Sequence, residues 1–193
     1  MKGITLVIVV LLVIVGFMGC NGYNGLVKEQ ENVNNAWNNV QAEYQRRNDL
    51  VGNLVNTVKG AANFEQKTLT DVINARAKAT SVNIKADDLT PENMAKFQAA
   101  QGEMSSALSR LLAVVENYPQ LKATDNFKQL QGQLESIEND IRAKRQSFNQ
   151  TVQSYNTKVR SFPMNILGGM FGFHAKEGFK ADPGADKAPT VQF

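Results

Sequence analysis

A single histidine and a single cysteine in 193 residues leave this chain few ways to hold a metal or a crosslink. Cys20 alone excludes an intramolecular disulfide and any cysteine-based zinc site, which needs several thiolates at short spacing. His174 alone excludes a histidine-pair metal site. Excess charge is scarce too: 21 Lys and Arg against 18 Asp and Glu give +3. No dense basic cluster stands ready to neutralise many phosphates, so no nucleic-acid partner is expected. Proline is absent from residues 23–60. No segment alternates at period two for long enough to read as a strand.

What is abundant is apolar sequence at the start. Residues 4–15 are apolar apart from Thr5, and residues 4–20 make seventeen positions without a charge. A bilayer span takes about 17–25 residues and a signal-peptide core about 7–15. A retained transmembrane helix and a cleaved signal therefore both fit. Gly19-Cys20 follows the run directly, a small residue before a thiol as in bacterial lipoprotein signals, which makes Cys20 a candidate lipidation residue. Phe17 and Met18 are bulky for such a site, and Lys2 alone makes a thin charged start. In an uncleaved span Cys20 is a small apolar residue. Both readings tether the chain to a membrane. Lys2 and the amino terminus lie before the run, while Lys28 beyond it is balanced by Glu29 and Glu31. Positive-inside reasoning therefore puts the following domain outside the cytoplasm.

The rest of the chain reads as helices. Leu26, Val33, Val40 and Leu54 share one heptad position, interrupted by Arg47, and Trp37, Tyr44, Val51 and Val58 share a second. That predicts a long amphipathic helix over residues 23–60, about 55 Å at 1.5 Å per residue. A second helix is expected over residues 63–81, burying Phe64, Leu69, Val72 and Ile73. Thr90-Pro91-Glu92 has the order of an N-cap, a first-turn proline and a dipole-matched acid. The third helix follows, and Pro119 is expected to end it. Thr124-Asp125 opens a fourth, in which Phe127, Leu134, Ile141, Phe148, Tyr155 and Phe162 recur at seven-residue steps until Pro163.

The expected fold is all-α: an antiparallel four-helix bundle over residues 23–163 with long first and fourth helices. Residues 1–22 form the anchor. Residues 164–193 make a Gly- and aromatic-rich segment that packs back and then an extended tail.

Several stretches resemble the LemA family of bacterial membrane-anchored proteins. They are "YNGLV" at residues 23–27, Ala36-Trp37, "YQRRNDLVGNLVNTVKG" at 44–60, "NARAKAT" at 74–80, "LSRLLAVVENYPQLKA" at 108–123, "FNQTVQSYN" at 148–156 and "FP…MFGF" up to Phe173. The likeness covers nearly all of the chain outside the anchor. It implies a four-helix bundle, a bacterial source and no catalytic residues. Where the family often has proline before the asparagine of the long run, this chain has Gly52, so no fixed bend is implied there.

No cofactor is expected. Di-metal bundles need Glu-x-x-His on two helices, whereas His174 lies beyond the fourth helix with no orienting partner in view. Arg46, Asp49, Asn53 and Asn56 recur at three and four and share one face of the first helix, with Arg46 and Asp49 placed to pair. That stripe is either a solvated face or a hydrogen-bonding surface for a partner. Met170, Phe171, Phe173 and Phe179 either cap the bundle core or touch a membrane or a second subunit. The carboxylate of Phe193, ending "TVQF", has the form that strand-adding peptide-binding domains capture. Apolar seam beyond the reach of the shorter helices, near Leu26, Val33, Tyr155 and Phe162, would be covered by another copy.

The sequence thus points to a membrane-anchored, non-catalytic scaffold or adaptor of the bacterial envelope that self-associates and binds an unidentified envelope protein. The alternatives are a metal-dependent enzyme built on bundle carboxylates and a lipoprotein that binds a partner through its C-terminal tail.

Overall fold

The computed structural model describes residues 2–60 and 64–181, with the backbone alone for many of the residues before Gly19. Most side chains of the expected anchor, and all of Phe193, lie outside the described residues. Among those described, no helix is long and apolar enough to cross a membrane.

Every regular element described is helical. In order these are α1 (Lys2–Lys59), α2 (Gln66–Ser81), a 3-10 turn (Ala86–Asp88), α3 (Pro91–Val115), α4 (Pro119–Lys122), α5 (Asp125–Arg160) and α6 (Met164–Met170). α1 and α5 run antiparallel along one another: Arg46 lies beside Asp140, and Gly25 beside Lys158. α2 and α3 form a second antiparallel pair, with Lys78 bonded to Glu103 near one end and the Phe64 and Tyr118 rings 4.8 Å apart near the other.

Both expected caps are present. Thr90 accepts the Asn93 N–H at 3.2 Å, and Thr124 accepts the Phe127 N–H at 3.4 Å. Each satisfies one of the donors that a helix start leaves open. Pro119 does not end α3, which stops at Val115. It opens α4 instead, where its missing N–H is no loss. α2 starts at Gln66, and Ile73 is half exposed rather than buried, because Leu69, Val72, Ala75 and Ala79 fill its inner face. α1 passes Gly52 without a break, and the guanidinium of Arg76 fits against that glycine.

Seam residues expected to need another copy are already covered. Leu26, Val33 and Tyr155 are buried in one apolar cluster with Met164 of α6 and with Phe173 and Phe179 of an extended strap, residues 173–180, that returns along the helices. Of the four, Phe162 alone is exposed, because α5 ends at Arg160 and the chain turns away.

Two apolar clusters make up the core. One is built around Trp37, Phe97, Phe148, Tyr155 and Phe179, the other around Val51, Leu54, Met104, Leu111 and Phe127. Between them lies a layer of polar side chains.

Candidate functional site

Arg47 is the centre of that layer. It sits at a heptad position between buried Tyr44 and Val51, and only 1% of it is exposed. Nη1 donates to Glu138 and to Ser105, both at 2.9 Å, and Nη2 donates to Gln101 at 2.6 Å. Gln101 in turn donates to the Ala79 carbonyl at 3.4 Å. One side chain on α1 thereby ties α2, α3 and α5 together. Among the described residues, Nε of Arg47 and the neighbouring Oδ1 of Asn48 are buried without a hydrogen-bond partner. A cavity of about 310 Å³ adjoins the guanidinium, lined also by Gln98, Arg142 and Arg145. The interrupted heptad was the only sign of this layer in the sequence. Its partners on α3 and α5 carried none.

The predicted stripe is exposed throughout. Arg46, Asp49, Asn53 and Asn56 all face outward on α1. Arg46 and Asp49 do not pair. Arg46 lies 3.7 Å from Glu43 and 3.9 Å from Asp140, and Asp49 accepts from Gln45 at 3.0 Å. Along the α1–α5 seam a second polar groove of about 540 Å³ is lined by Asn32, Asn35, Asn39, Lys144, Ser147 and Thr151.

Apolar side chains are also exposed where α6 meets α1 near Tyr23. After α5, the chain turns at Pro163 into α6, which buries Met164 and Gly168 against the bundle. Phe162, Ile166 and Met170, four residues apart, are 78%, 61% and 78% exposed. Phe171 is exposed as well, and its ring meets Tyr23 edge-on at 5.3 Å. The four aromatic-end candidates thus divide: Phe173 and Phe179 are core, Met170 and Phe171 are surface. Exposed Cys20, a free thiol, lies one turn before Tyr23 on α1, and Phe17 beyond it is exposed too.

Under the strap, Lys176 lies with its side chain only 8% exposed. Nζ donates to the Ala86 carbonyl at 2.7 Å, lies 3.8 Å from Asp87, and faces the Tyr155 ring at 5.7 Å. Burial pushes the Lys176 ammonium below its ordinary range, and the Asp87 and Asp88 carboxylates partly restore it. Burial, then Asp87, raises Tyr155. His174 is exposed. Among the described residues no three His, Cys, Asp or Glu side chains gather as a metal centre requires.

The model of the LemA family matches residues 36–193. The magnetosome proteins MamQ 1 and MamQ 2 of Paramagnetospirillum magneticum are each 27% identical over 181 residues, covering 85% of this chain and 66% of theirs. Protein LemA of Metamycoplasma hominis is 27% identical over 144 residues, covering 75% of this chain and 62% of its own. The chain therefore spans about two thirds of the length of the curated relatives it matches.

Proposed function

The chain belongs to the LemA family, and from that premise we propose that it is a membrane-tethered, non-catalytic scaffold of the bacterial envelope. In this reading the four long helices act as one antiparallel bundle, held by the apolar residues 4–20 with the bundle outside the cytoplasm. Its work is done by protein contacts, with itself and with an envelope partner.

One observation carries the reading. The exposed face of Phe162, Ile166, Met170 and Phe171 lies where α6 meets α1 near Tyr23, just after the apolar residues 4–20. A patch of that kind in water invites aggregation. Set against a bilayer, aromatic and aliphatic side chains on a short helix sit at the headgroup boundary and hold the bundle at a fixed height.

Met170→Trp in the full chain, reconstituted in vesicles, tests this. Its fluorescence is expected to be quenched by lipids brominated high on their acyl chains and shielded from aqueous iodide, with buried Trp37 as the internal reference. The opposite pattern would remove the membrane-facing role. A stoichiometric transition metal in the purified protein would favour the carboxylate-enzyme alternative.

A further inference from the structure

The strap is held in the manner of a bound peptide. Three side-chain amides each grip both main-chain groups of one strap residue. Asn156 donates to the Lys176 carbonyl and accepts the Lys176 N–H, each at 2.8 Å. Asn149 donates to the Phe179 carbonyl at 3.0 Å and accepts its N–H at 2.8 Å. Gln98, from α3, does the same to Lys180 at 3.2 and 3.5 Å. A carboxamide can do this because it carries a donor and an acceptor side by side. The Glu177 N–H donates to the Leu89 carbonyl at 2.9 Å. Grips on the main chain hold any extended peptide, and side-chain pockets then select among them.

Two pockets select here. Phe179 enters a ring cluster of Trp37, Phe97 and Phe148, with centroids at 6.0, 6.2 and 5.6 Å, under the Arg145 guanidinium at 4.7 Å. Lys176 reaches the Ala86 carbonyl and Asp87. Between them Gly178 passes so close that an added Cβ would stand 2.8 Å from Oδ1 of Asn149. The site thus reads Lys-x-Gly-Phe in an extended chain. The strap joins α6 through a surface turn at Gly172, whose φ of 80° favours glycine. A turn of that sort is where a segment can leave one copy and enter another.

We infer that this groove between α1, α3 and α5 is a binding site for an extended Lys-x-Gly-Phe peptide, and that its partner in trans is the strap of a second copy. The sequence of the strap is itself the ligand the groove fits, so an identical copy fits without further adaptation. The inference rests on the self-association in the proposed function and supplies its route.

Two full-length forms in detergent test it. One carries Asn149→Ala and Asn156→Ala and an affinity tag, so it has an intact strap and a weakened groove. The other carries Phe179→Ala, with an intact groove and a weakened strap. After mixing and brief warming, the tagged form is expected to retain at least tenfold more of the other than either form retains of itself. A peptide of residues 174–181 should abolish the capture, and the same peptide with Phe179 replaced by Ala should not. If Phe179→Ala does not melt cooperatively, Phe179→Leu, which keeps apolar bulk, takes its place. Mixed capture no greater than self-capture, with both forms folded, overturns the inference. Wild-type self-association that persists undiminished in both forms also overturns it, while leaving the scaffold reading in place.

Discussion

Nη1 of Arg47 lies 2.9 Å from Oε1 of Glu138, joining a guanidinium that is 1% exposed to a carboxylate that keeps 38% of its surface. The asymmetry sets what each substitution should do. Arg47→Ala strands Gln101 and Ser105 and leaves a cavity between the two apolar clusters. We expect a loss of about 3–5 kcal/mol, as when one member of a buried ionic network is removed. Glu138→Gln keeps an acceptor facing the guanidinium and can draw on water, so its loss should be about 1 kcal/mol. Urea denaturation of the two variants checks the order; equal losses would mean that Glu138 belongs to the interior as fully as Arg47 does.

That layer also shows how far the sequence could be read. Period 3.5 in α1 and α5, and the caps at Thr90 and Thr124, were visible because local chemistry decides them. Arg47 was visible only as a fault in a repeat. Whether a fault is surface or a buried hub depends on what faces it, and Gln101, Ser105 and Glu138 lie 54 to 91 residues away along the chain. A C-terminal segment that packs back was expected, with Phe173 and Phe179 as candidate core residues, but the amides that grip it were hidden for the same reason. Asn149 and Asn156 look like ordinary polar helix positions until an extended segment lies across them. The seam near Leu26 and Tyr155 called for a cover, and nothing in its periodicity told a second copy from the chain's own C-terminal segment.

The stripe on α1 should matter little to folding. Asn53→Ala and Asn56→Ala on an exposed face should be neutral or stabilising by roughly half a kcal/mol each, since alanine is the better helix former. Arg46→Ala removes two long ion pairs, one to half-buried Glu43 and one to exposed Asp140, that contribute about 0–1 kcal/mol together. The triple variant should melt within a few degrees of the wild type. If the stripe is a contact surface, recovery of proteins crosslinked to the chain in native membranes falls while the melt holds. A large drop in melting temperature would contradict the exposure of all three side chains.

Lys176 and Tyr155 should move together when Asp87 is neutralised. Asp87 raises both groups, opposing burial at Lys176 and adding to burial at Tyr155. Asp87→Asn should therefore lower Lys176 further and return Tyr155 towards 10.0. For Lys176 the folded state binds its proton less well than the unfolded chain. Stability from this group therefore rises with pH between its depressed folded value and 10.5, and is a constant penalty below that window. Tyr155 acts the other way: its contribution is complete below 10.0 and is lost as pH rises through its raised folded value. Because the two oppose each other in alkali, side-chain carbon shifts followed by NMR are the proper measure. A Lys176 titration that rises in Asp87→Asn would show that the carboxylate does not face the ammonium.

The last prediction concerns Gly22, which lets α6 lie against α1. A Cβ at this position would collide with the thioether end of Met164, the residue with which α6 begins. The obstacle is the tip of a flexible side chain, so Gly22→Ala can be accommodated by turning that tip aside. Alanine also gains up to about 1 kcal/mol over glycine in a helix, so the net change should be small. Gly22→Leu cannot be absorbed in that way. Its extra carbons must displace Met164 itself, which lifts α6, separates Tyr23 from Phe171 and uncovers Leu26 beneath. Overpacking of this kind costs about 1–3 kcal/mol. The loss should appear as faster amide exchange in α6 and around Leu26, with the Val51–Phe127 half of the core unaffected. In the vesicle experiment, Gly22→Leu should also change the lipid quenching of tryptophan at position 170, because that depth depends on α6 being seated. Uniform acceleration of exchange through both core clusters would instead mean that α6 and the bundle unfold as one unit.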